Sequence, residues 1–281
     1  MSNQSKQALG DREFSFTESN FKKICKWVFD YAGIELNEGK KELVYSRLAR
    51  RIRHLQLNSF DEYCGLLKSG DDEEFVNFIN AITTNLTSFF RESHHFDYLA
   101  DSVVPNLCQR QNKINVWSAG CSTGEEPYSI AMTLLENILP GKSASILATD
   151  LDSNVVAKAS SGIYPANRID GIPQHKVKKW FKKGRRKQEG YVKVSPDLRK
   201  IIEFNQLNLM NSWPMTEKFD IIFCRNVVIY FSKETQKVLF DRYAELLVDG
   251  GHLFIGHSEN IFKVSDRFDR IGPNSVYHKI K

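Results

Sequence analysis

Apolar residues in the first third of the chain follow the spacing of helices. Over residues 17–88 they recur three or four positions apart, and no run alternates as a strand does. Gly33 and Gly70 fall near breaks in this spacing, where glycine can end a helix. We therefore predict an all-helical N-terminal domain over residues 15–84, behind a flexible tail at residues 1–14.

Beyond about residue 111 the pattern changes to short apolar runs that alternate with helical stretches. Four runs have the length and composition of buried strands: residues 114–118, 145–149, 219–224 and 252–255. Helical spacing lies between them, at residues 127–137, 153–160 and 233–247. Strands separated by helices in this way indicate an α/β domain with a parallel, helix-covered sheet. We assign this domain to residues 111–281 and treat residues 85–110 as a linker.

Two further features complete the predicted sheet. Gly250 and Gly251 indicate a turn between the last helix and the strand at 252–255. Residues 275–280 alternate between apolar and polar positions, so we expect an antiparallel strand at the edge of the sheet.

Residues 162–202 interrupt the alternation of strands and helices. They contain a helical stretch at 173–181, a turn rich in Lys, Arg and Gly at 182–190, and an alternating run at 191–194. The segment is too short for another full pair of strand and helix. We predict an inserted β-subdomain with its own small sheet.

Composition narrows the class of protein. The chain has five cysteines, none in a C-x-x-C arrangement, so neither a disulfide framework nor a zinc site is indicated. The N-terminus has no apolar signal segment, and no stretch approaches the roughly 20 apolar residues that a membrane span needs, so we expect a cytoplasmic protein. The net charge of +5 is concentrated between Ser160 and Lys200, where twelve Lys and Arg residues outnumber three Asp and Glu. This distribution suits an acidic partner.

A glycine-containing loop follows the first strand, in the segment WSAGCSTGEEP at residues 117–127. Glycines at a strand-to-helix turn let the backbone approach a ligand, and the helix N–H groups point toward it. The segment lacks the dinucleotide and phosphate-loop patterns. Glu125 and Glu126 would repel a pyrophosphate, whereas they suit a ligand with ammonium and sulfonium charges. S-adenosylmethionine has both charges; an ordinary tight turn before an acidic first helical turn is the alternative.

Asp150 ends the second predicted strand. An acidic side chain at this place, about 25 residues after such a loop, can accept hydrogen bonds from both ribose hydroxyls of an adenosine. The alternative role, a helix cap, suits Asp152 or Ser153 better. The loop and Asp150 together favour a site for S-adenosylmethionine.

Four motifs occur in an order and spacing that resemble a known family. They are TTNLTSFFRE at residues 83–92, GEEPYS at 124–129, FCRNVVIYF at 223–231 and GHSE at 256–259. Together they resemble the CheR-type chemotaxis receptor methyltransferases, and the resemblance extends over nearly the whole chain. It implies a Rossmann-like class I S-adenosylmethionine-dependent methyltransferase domain that carries the inserted β-subdomain and follows the helical domain. S-adenosylhomocysteine is then the product, and we expect no metal.

The resemblance also assigns site residues. It implies that the linker and the strand ends supply the cofactor-binding residues Asn85, Thr87, Arg91, Gly120, Glu125, Asp150, Asn208, Leu209, Arg225 and Asn226. Arg91 and Tyr230 are implied to be catalytic. Without the family, Asn85 and Thr87 could instead be turn and capping residues, and Tyr230 could be a core aromatic.

The implied activity is protein-glutamate O-methyltransfer to the cytoplasmic domains of chemotaxis receptors, the methyl-accepting proteins. A glutamate with an ordinary pKa of about 4.3 is ionised at neutral pH, so the reaction needs no general base. We expect the guanidinium of Arg91 to orient this carboxylate and Tyr230 to add a weaker hydrogen bond.

Two surfaces are expected to meet the receptor. Beside its apolar stripe, the helix at residues 44–55 carries a basic group that suits an acidic helical surface, namely Arg47, Arg50, Arg51 and His54. The β-subdomain is expected to offer the run at 191–194 as an exposed strand edge for a C-terminal receptor tail. The alternatives are a solvated basic face and a solvated basic hairpin.

Two rival functions remain open at this point: a nucleic-acid methyltransferase, and a non-catalytic scaffold that binds S-adenosylmethionine. Methylation of base amino groups commonly uses an Asn/Asp-Pro-Pro-aromatic loop after the fourth strand, where this chain has Arg225-Asn226-Val227-Val228. We therefore expect no nucleic-acid partner, and no direct membrane insertion. The chain has Arg91, Glu125, Asp150 and Tyr230 together, which argues against a scaffold.

Overall fold

The structure is a computed structural model that describes residues 12–271 and 275–281. The contacts between residues divide the chain between Thr83 and Thr84 into two compact units. Most of the predicted tail at 1–14 lies outside the described residues. Among the described helices, none combines the length and the apolar character needed to cross a lipid bilayer.

The first unit, up to Thr83, is all-helical, as predicted. It contains α1 (Glu18–Ala32), α2 (Lys41–His54), α3 (Phe60–Lys68) and α4 (Asp72–Ile82), with a 3-10 turn (Glu38–Lys40) before α2. The hydroxyl of Thr17 accepts a hydrogen bond from the N–H of Asn20, and the Asn20 side chain accepts one from the N–H of Thr17. These two bonds satisfy N–H groups that a helix start would otherwise leave unpaired. Gly33 ends α1 in the left-handed conformation, with φ of 69°.

The predicted apolar stripe of α2 lies in the core of the helical unit. Val44, Leu48 and Ile52 are fully buried, and the rings of Phe16 and Phe60 pack with 4.3 Å between their centroids. Burial of one such side chain stabilises a fold by about 1.5–3 kcal/mol. This stripe therefore holds α2 in its own unit.

Two arginines of α2 are also engaged inside this unit. Arg47 donates to backbone carbonyl oxygens at the end of α4. Arg51 forms an ion pair with Glu74, a carboxylate that is only 4% exposed. The prediction that all four basic residues of α2 face a partner is therefore only partly right. Arg50 and His54 are exposed, whereas Arg47 and Arg51 are half-buried. A buried carboxylate needs a paired cation, which explains the inward position of Arg51.

The second unit begins at Thr84. Two short helices come first, α5 (His94–Tyr98) and α6 (Val104–Arg110), joined by a π-helical turn (Leu99–Val103). There follow β1 (Lys113–Ala119), α7 (Glu125–Asn137), β2 (Ser143–Asp150), α8 (Ser153–Ser161), β3 (Ile163–Pro165), α9 (Gln174–Trp180), β4 (Phe181–Lys183), β5 (Tyr191–Val194) and α10 (Pro196–Lys200). The chain ends with β6 (Ile202–Gln206), β7 (Phe219–Cys224), α11 (Lys233–Leu246), β8 (Leu247–Ile255), β9 (Phe268–Arg270) and β10 (Val276–Lys279).

Seven strands form one sheet in the order β6-β2-β1-β7-β8-β10-β9. The first five are parallel, and β10 runs antiparallel to both β8 and β9. All residues of β7 are buried, because helices cover both faces of the sheet. The strand order reverses between β1 and β7, and ligands of such sheets bind beyond the carboxyl ends at this reversal. The prediction of an edge strand at 275–280 is wrong in position, since β9 lies outside β10.

β8 begins at Leu247, directly after α11, so the turn predicted at Gly250 and Gly251 is wrong. Both glycines lie within the strand, at an irregularity in its pairing with β7. A Cβ atom on Gly251 would lie 2.8 Å from the carbonyl oxygen of Val248. The strand is distorted where only glycine fits, which is typical of a bulge.

The inserted segment forms a three-stranded antiparallel sheet in the order β3-β5-β4. β5 lies in the middle, so the expectation that residues 191–194 offer an exposed strand edge is wrong. Val192 and Val194 are buried whereas Tyr191 and Lys193 are exposed. The alternation therefore reports burial of one face of the sheet, and the edges belong to β3 and β4.

Candidate active site

The loop between β1 and α7 is built around two glycines. Gly120 has φ of 100° and Gly124 has φ of 97°, values that other residues rarely adopt. A Cβ atom on Gly120 would lie 2.3 Å from a methyl carbon of Val227, and one on Gly124 would lie 2.7 Å from the hydroxyl of Tyr164. The N–H of Gly120 donates to the carbonyl oxygen of Thr149 at 2.8 Å, which joins the loop to the end of β2. Close packing against Val227 and Tyr164 thus leaves no room for a side chain at either glycine.

Asp150 lies at the end of β2, beside this loop. One carboxylate oxygen accepts the N–H of Ser122 at 2.8 Å, and the other accepts the N–H of Asp152 at 3.0 Å. Burial raises the pKa of Asp150 to about 6. Asp152, as expected, is the residue that caps α8. Since a carboxylate has about four acceptor positions, two backbone bonds leave Asp150 able to accept two ribose hydroxyls.

The start of the linker meets the same loop. The side-chain amide of Asn85 donates to Asp152 at 2.9 Å, and the backbone carbonyl oxygen of Asn85 accepts the hydroxyl of Ser122 at 3.3 Å. The carbonyl oxygen of Thr87 accepts a hydrogen bond from Arg168 at 2.8 Å. Asn85 and Thr87 therefore lie together beside the loop, with Thr87 engaged through its backbone.

Glu125 is the first residue of α7, and it is only 1% exposed. Its carboxylate accepts the hydroxyl of Thr123 at 2.6 Å and forms an ion pair with Arg168. Arg168 belongs to a 3-10 turn, Ala166–Ile169, in the inserted segment. The sequence gives no local signal for Arg168 as a site residue, because its partner is 43 positions away.

Arg225 follows β7 and lies at the centre of a buried ion cluster. Its guanidinium lies 3.1 Å from Glu92 and 3.1 Å from Glu126, and it donates to the carbonyl oxygen of Arg91. The hydroxyl of Ser118 donates to Glu126 at 2.8 Å. Arg225 is predicted to bind the cofactor, and this role stays a prediction. In the structure it pairs with two protein carboxylates and fixes the backbone at Arg91.

The pKa values of Glu126 and Glu92 in this cluster are shifted in opposite directions. Burial raises the pKa of Glu126, although the guanidinium of Arg225 opposes the shift. Burial also acts to raise the pKa of Glu92, but there Arg225 outweighs it and the pKa is lowered. Both glutamates belong to motifs that resemble the family; the sequence analysis gives Glu126 a part in the charge of the loop and assigns no role to Glu92.

Asn226 is held by Glu259, from the loop after β8. The Glu259 carboxylate accepts the N–H of Asn226 at 2.9 Å and the N–H of Ile229 at 3.3 Å. The Asn226 side chain lies 3.5 Å from Glu92. Burial raises the pKa of Glu259, although backbone N–H donors oppose the shift. Two of the family-like motifs meet at this point.

Backbone strain is concentrated in the linker, in the loop between β1 and α7, and in the loop after β7. Four of the eight non-glycine residues with positive φ in the described ranges belong to them: Phe90 at 53°, Glu92 at 57°, Ser122 at 49° and Asn226 at 57°. Each such conformation costs of order 1–3 kcal/mol and persists only where the surroundings enforce it. Strain of this kind is typical of a functional site.

Arg91 and Tyr230 border the same region. The Arg91 side chain donates to the carbonyl oxygen of Leu86 at 2.8 Å and is half-buried. Tyr230 is half-buried too, at the end of a 3-10 turn (Val228–Tyr230) after β7. The bond from Arg225 to the Arg91 carbonyl connects the two segments.

Asn208 and Leu209 follow β6, next to Asp150. The N–H of Leu207 donates to the backbone carbonyl oxygen of Asp150 at 2.9 Å. The side chain of Asn208 accepts the N–H of Met210 at 2.9 Å, which shapes the loop. The loop after β6 thus lies beside the residue predicted to bind ribose.

One cluster in the described ranges has donors suited to a metal ion. Glu92, His94 and His95 place ligand atoms within 4.8 Å of one another. The ion pair between Glu92 and Arg225 brings a positive charge to the same carboxylate, and this charge opposes binding of a cation.

Comparison with known proteins agrees with this architecture. Residues 85–276 match the family model described as CheR methyltransferase, SAM binding domain, and residues 19–83 match CheR methyltransferase, all-alpha domain. The chain is 43% identical over 271 residues to chemotaxis protein methyltransferase 2 of Pseudomonas aeruginosa, covering 96% of each protein. It is 42% identical over 267 residues to the chemotaxis protein methyltransferase of Escherichia coli, covering 94% of this chain and 91% of that one.

Solved structures are more distant. The N-methyltransferase NodS from Bradyrhizobium japonicum, in complex with S-adenosylhomocysteine, is 14% identical and covers 68% of this chain and 87% of its own, with a TM-score of 0.40. The family models together span both units of the chain. The chain therefore belongs to the CheR methyltransferase family, and its second unit is the family's S-adenosylmethionine-binding domain.

Proposed function

We propose that this protein transfers a methyl group from S-adenosylmethionine to glutamate side chains of chemotaxis receptors, on their cytoplasmic domains. The observation that carries the proposal is the match, over more than nine-tenths of the chain, to relatives named chemotaxis protein methyltransferase. Both the helical unit and the cofactor domain take part in this match.

The residues around the glycine loop fit the cofactor. The loop that contains Gly120 and Gly124 lies between the carboxyl end of β1 and the start of α7, where ligands of such sheets bind. Asp150 offers acceptors for ribose hydroxyls, and Glu125 offers a carboxylate for the ammonium group. Asn208 lies on the loop beside Asp150, where an adenine would follow its ribose. When bound, S-adenosylmethionine would supply the methyl group of its sulfonium: the methyl carbon would bond to a carboxylate oxygen as its bond to sulfur breaks, which gives a methyl ester and S-adenosylhomocysteine.

The substrate glutamate needs orientation more than activation. It is ionised at neutral pH, so this chain has to supply no general base. The guanidinium of Arg91 can bind one carboxylate oxygen and leave the other to react, and the hydroxyl of Tyr230 can add a second contact. The bond from Arg225 to the Arg91 carbonyl, backed by Glu92 and Glu126, holds this segment in place.

Two surfaces are proposed to bring the receptor to this site. On the helical unit, Arg50 and His54 remain exposed on α2 and suit an acidic helix. On the inserted sheet, β4 is an edge with exposed Lys182 and Lys183, and an extended acidic receptor tail could add to it as a strand. Tethering there would raise the local concentration of substrate helices.

The test is methylation of receptor-containing membranes with tritium-labelled S-adenosylmethionine. The expected label is on the receptor and is released as methanol by mild base, because a carboxyl ester is base-labile. Asp150→Ala, with its ribose contacts removed, is the matched inactive control. Base-stable label on protein, or label on added RNA, would refute glutamate esterification while leaving the methyltransferase family assignment intact.

The tether has a separate test. Peptides that correspond to receptor C-terminal tails are titrated into the wild-type protein and into a variant with Lys182 and Lys183 replaced by Glu. We expect binding to the wild type and at least tenfold weaker binding to the variant, since the charge on the strand edge is reversed. Equal affinities would remove β4 as the docking edge.

A further inference from the structure

The geometry points to Arg168 as a direct ligand of the cofactor: we propose that it binds the α-carboxylate at the amino-acid end of S-adenosylmethionine, beside Glu125. Arg168 lies on the inserted β-subdomain, outside the motifs that resemble the family. The assignment rests on the proposed cofactor site. It makes the insertion part of that site in addition to a docking surface.

Arg168 joins three segments that surround the glycine loop. Its Nη2 atom donates to the carbonyl oxygen of Thr87 in the linker, at 2.8 Å, and to the carboxylate of Glu125 at the start of α7. A second contact from the insertion reaches the same place: the hydroxyl of Tyr164 donates to the carbonyl oxygen of Thr123 at 2.6 Å. The insertion is therefore anchored to the glycine loop on two sides.

The charges match the two charges of an amino acid. Glu125 is 1% exposed, so its negative charge needs a cation nearby, and Arg168 provides it. An ammonium group alone would add a second positive charge beside Arg168. A zwitterion leaves the group balanced, because its ammonium meets Glu125 and its carboxylate meets Arg168.

The guanidinium also has donors to offer. Both contacts of Arg168 use Nη2, and a guanidinium carries five N–H donors in a planar fork that suits a carboxylate. Its side chain is 38% exposed, whereas Glu125 beside it is buried. A ligand in the loop can thus reach Arg168 without displacing it from Glu125 or Thr87.

A structural role would be different: Arg168 could serve only to neutralise Glu125. Two ligands separate these roles. S-adenosylhomocysteine carries the amino-acid end, and 5′-methylthioadenosine keeps the adenosine and the thioether without it. Isothermal titration gives the affinity of each ligand for the wild type, Arg168→Gln and Arg168→Lys, with Arg185→Gln as the matched control from an exposed turn of the same subdomain.

We expect Arg168→Gln to weaken the binding of S-adenosylhomocysteine by about 10- to 100-fold, which corresponds to one charge-assisted hydrogen bond. The affinity for 5′-methylthioadenosine should change less than about twofold on the same scale. Arg168→Lys keeps the charge that Glu125 needs, and it should lose an intermediate amount because the planar fork is gone. Arg185→Gln should bind both ligands as the wild type does.

Equal weakening of both ligands would show a purely structural role and would overturn the assignment, and so would no weakening of either. A decarboxylated analogue of S-adenosylhomocysteine tests the carboxylate itself. It should bind the wild type and Arg168→Gln with similar affinity. If the substitution weakened its binding as much as that of S-adenosylhomocysteine, Arg168 would serve only to neutralise Glu125. If the wild type bound neither adenosine ligand, the proposed cofactor site would be wrong as well.

Discussion

Asp150 should make the affinity for S-adenosylhomocysteine depend on pH. Its pKa in the protein is about 6 because the carboxyl is buried. The ionised carboxylate accepts hydrogen bonds on both oxygens, whereas the acid form has less acceptor capacity. With this pKa, the ionised fraction falls from about nine-tenths at pH 7 to about one-tenth at pH 5. The dissociation constant should therefore rise about tenfold over this range, or about 1.4 kcal/mol.

Isothermal titration with S-adenosylhomocysteine across this range of pH measures the effect. Asp150→Asn is the control, because an amide keeps the shape and does not titrate. Its affinity should be lower at neutral pH and nearly constant with pH. A flat profile for the wild type would refute the reasoning. The same slope in Asp150→Asn would assign the titration to another group, of which Glu126, with its raised pKa, is the first candidate.

The same shift predicts how stability depends on pH. The carboxyl has an ordinary pKa of 3.8 and about 6 in the folded chain, so the folded state holds the proton more tightly. Ionisation of Asp150 therefore costs the folded state about 3 kcal/mol above pH 6, and this cost is absent below about pH 4. Relative to wild type, Asp150→Asn should gain about 3 kcal/mol of unfolding free energy between these limits, measured by urea denaturation. A difference that stays constant with pH would contradict the raised pKa.

Further outcomes follow from other contacts. Arg225→Ala leaves the buried Glu126 and the half-buried Glu92 without this arginine and should lower the unfolding free energy by about 3–5 kcal/mol, measured by chemical denaturation. Gly190→Ala, at φ of 83° with open space around it, should lower the unfolding free energy by about 1–2 kcal/mol because of the backbone conformation. Gly120→Ala should lower it by about 1–3 kcal/mol more, because its Cβ would also clash with Val227; thermal unfolding measures both. Arg91→Lys should reduce receptor methylation about 10- to 100-fold, a much larger effect than its loss of S-adenosylhomocysteine affinity. Arg50→Glu should raise the receptor Michaelis constant at low salt without affecting the cofactor.

The pattern of apolar residues predicts an element correctly where the residues of that element alone show how it is buried. The strand at 219–224 is predicted to the residue, because a run buried on both faces is apolar throughout. β9 is only three residues long, so its sequence shows no clear strand pattern. The central position of β5 depends on which strands pair with it, and the alternation within residues 191–194 does not indicate those partners. Gly250 and Gly251 have the composition of a turn, and only the pairing with β7 shows that they form a bulge.

Charged residues were the harder part of the prediction. Arginine is usually an exposed residue, yet Arg51 and Arg225 are each paired with a buried carboxylate. The partner of Arg51 is 23 positions away in the sequence, and the partner of Arg225 is 99 positions away. A charge pattern along one helix indicates which residues share a face, and it does not indicate whether an acidic partner from another helix covers that face. Arg168 was missed for the same reason, since its partner Glu125 lies on the other side of β2 in the sequence.

The choice of S-adenosylmethionine from Glu125 and Glu126 rests on charge, and the structure changes the reason for it. Glu126 is paired with Arg225 and Glu125 with Arg168, so neither is left uncompensated to repel a pyrophosphate. The surplus comes from Glu92, which shares Arg225, and from Asp150, whose carboxyl is held by backbone N–H groups alone. With all four carboxylates ionised, this set of four carboxylates and two arginines has a net charge of −2, which favours a cationic ligand over an anionic one. Because the raised pKa of Asp150 removes part of this charge in acid, the preference for a cationic ligand should weaken as the pH falls through about 6.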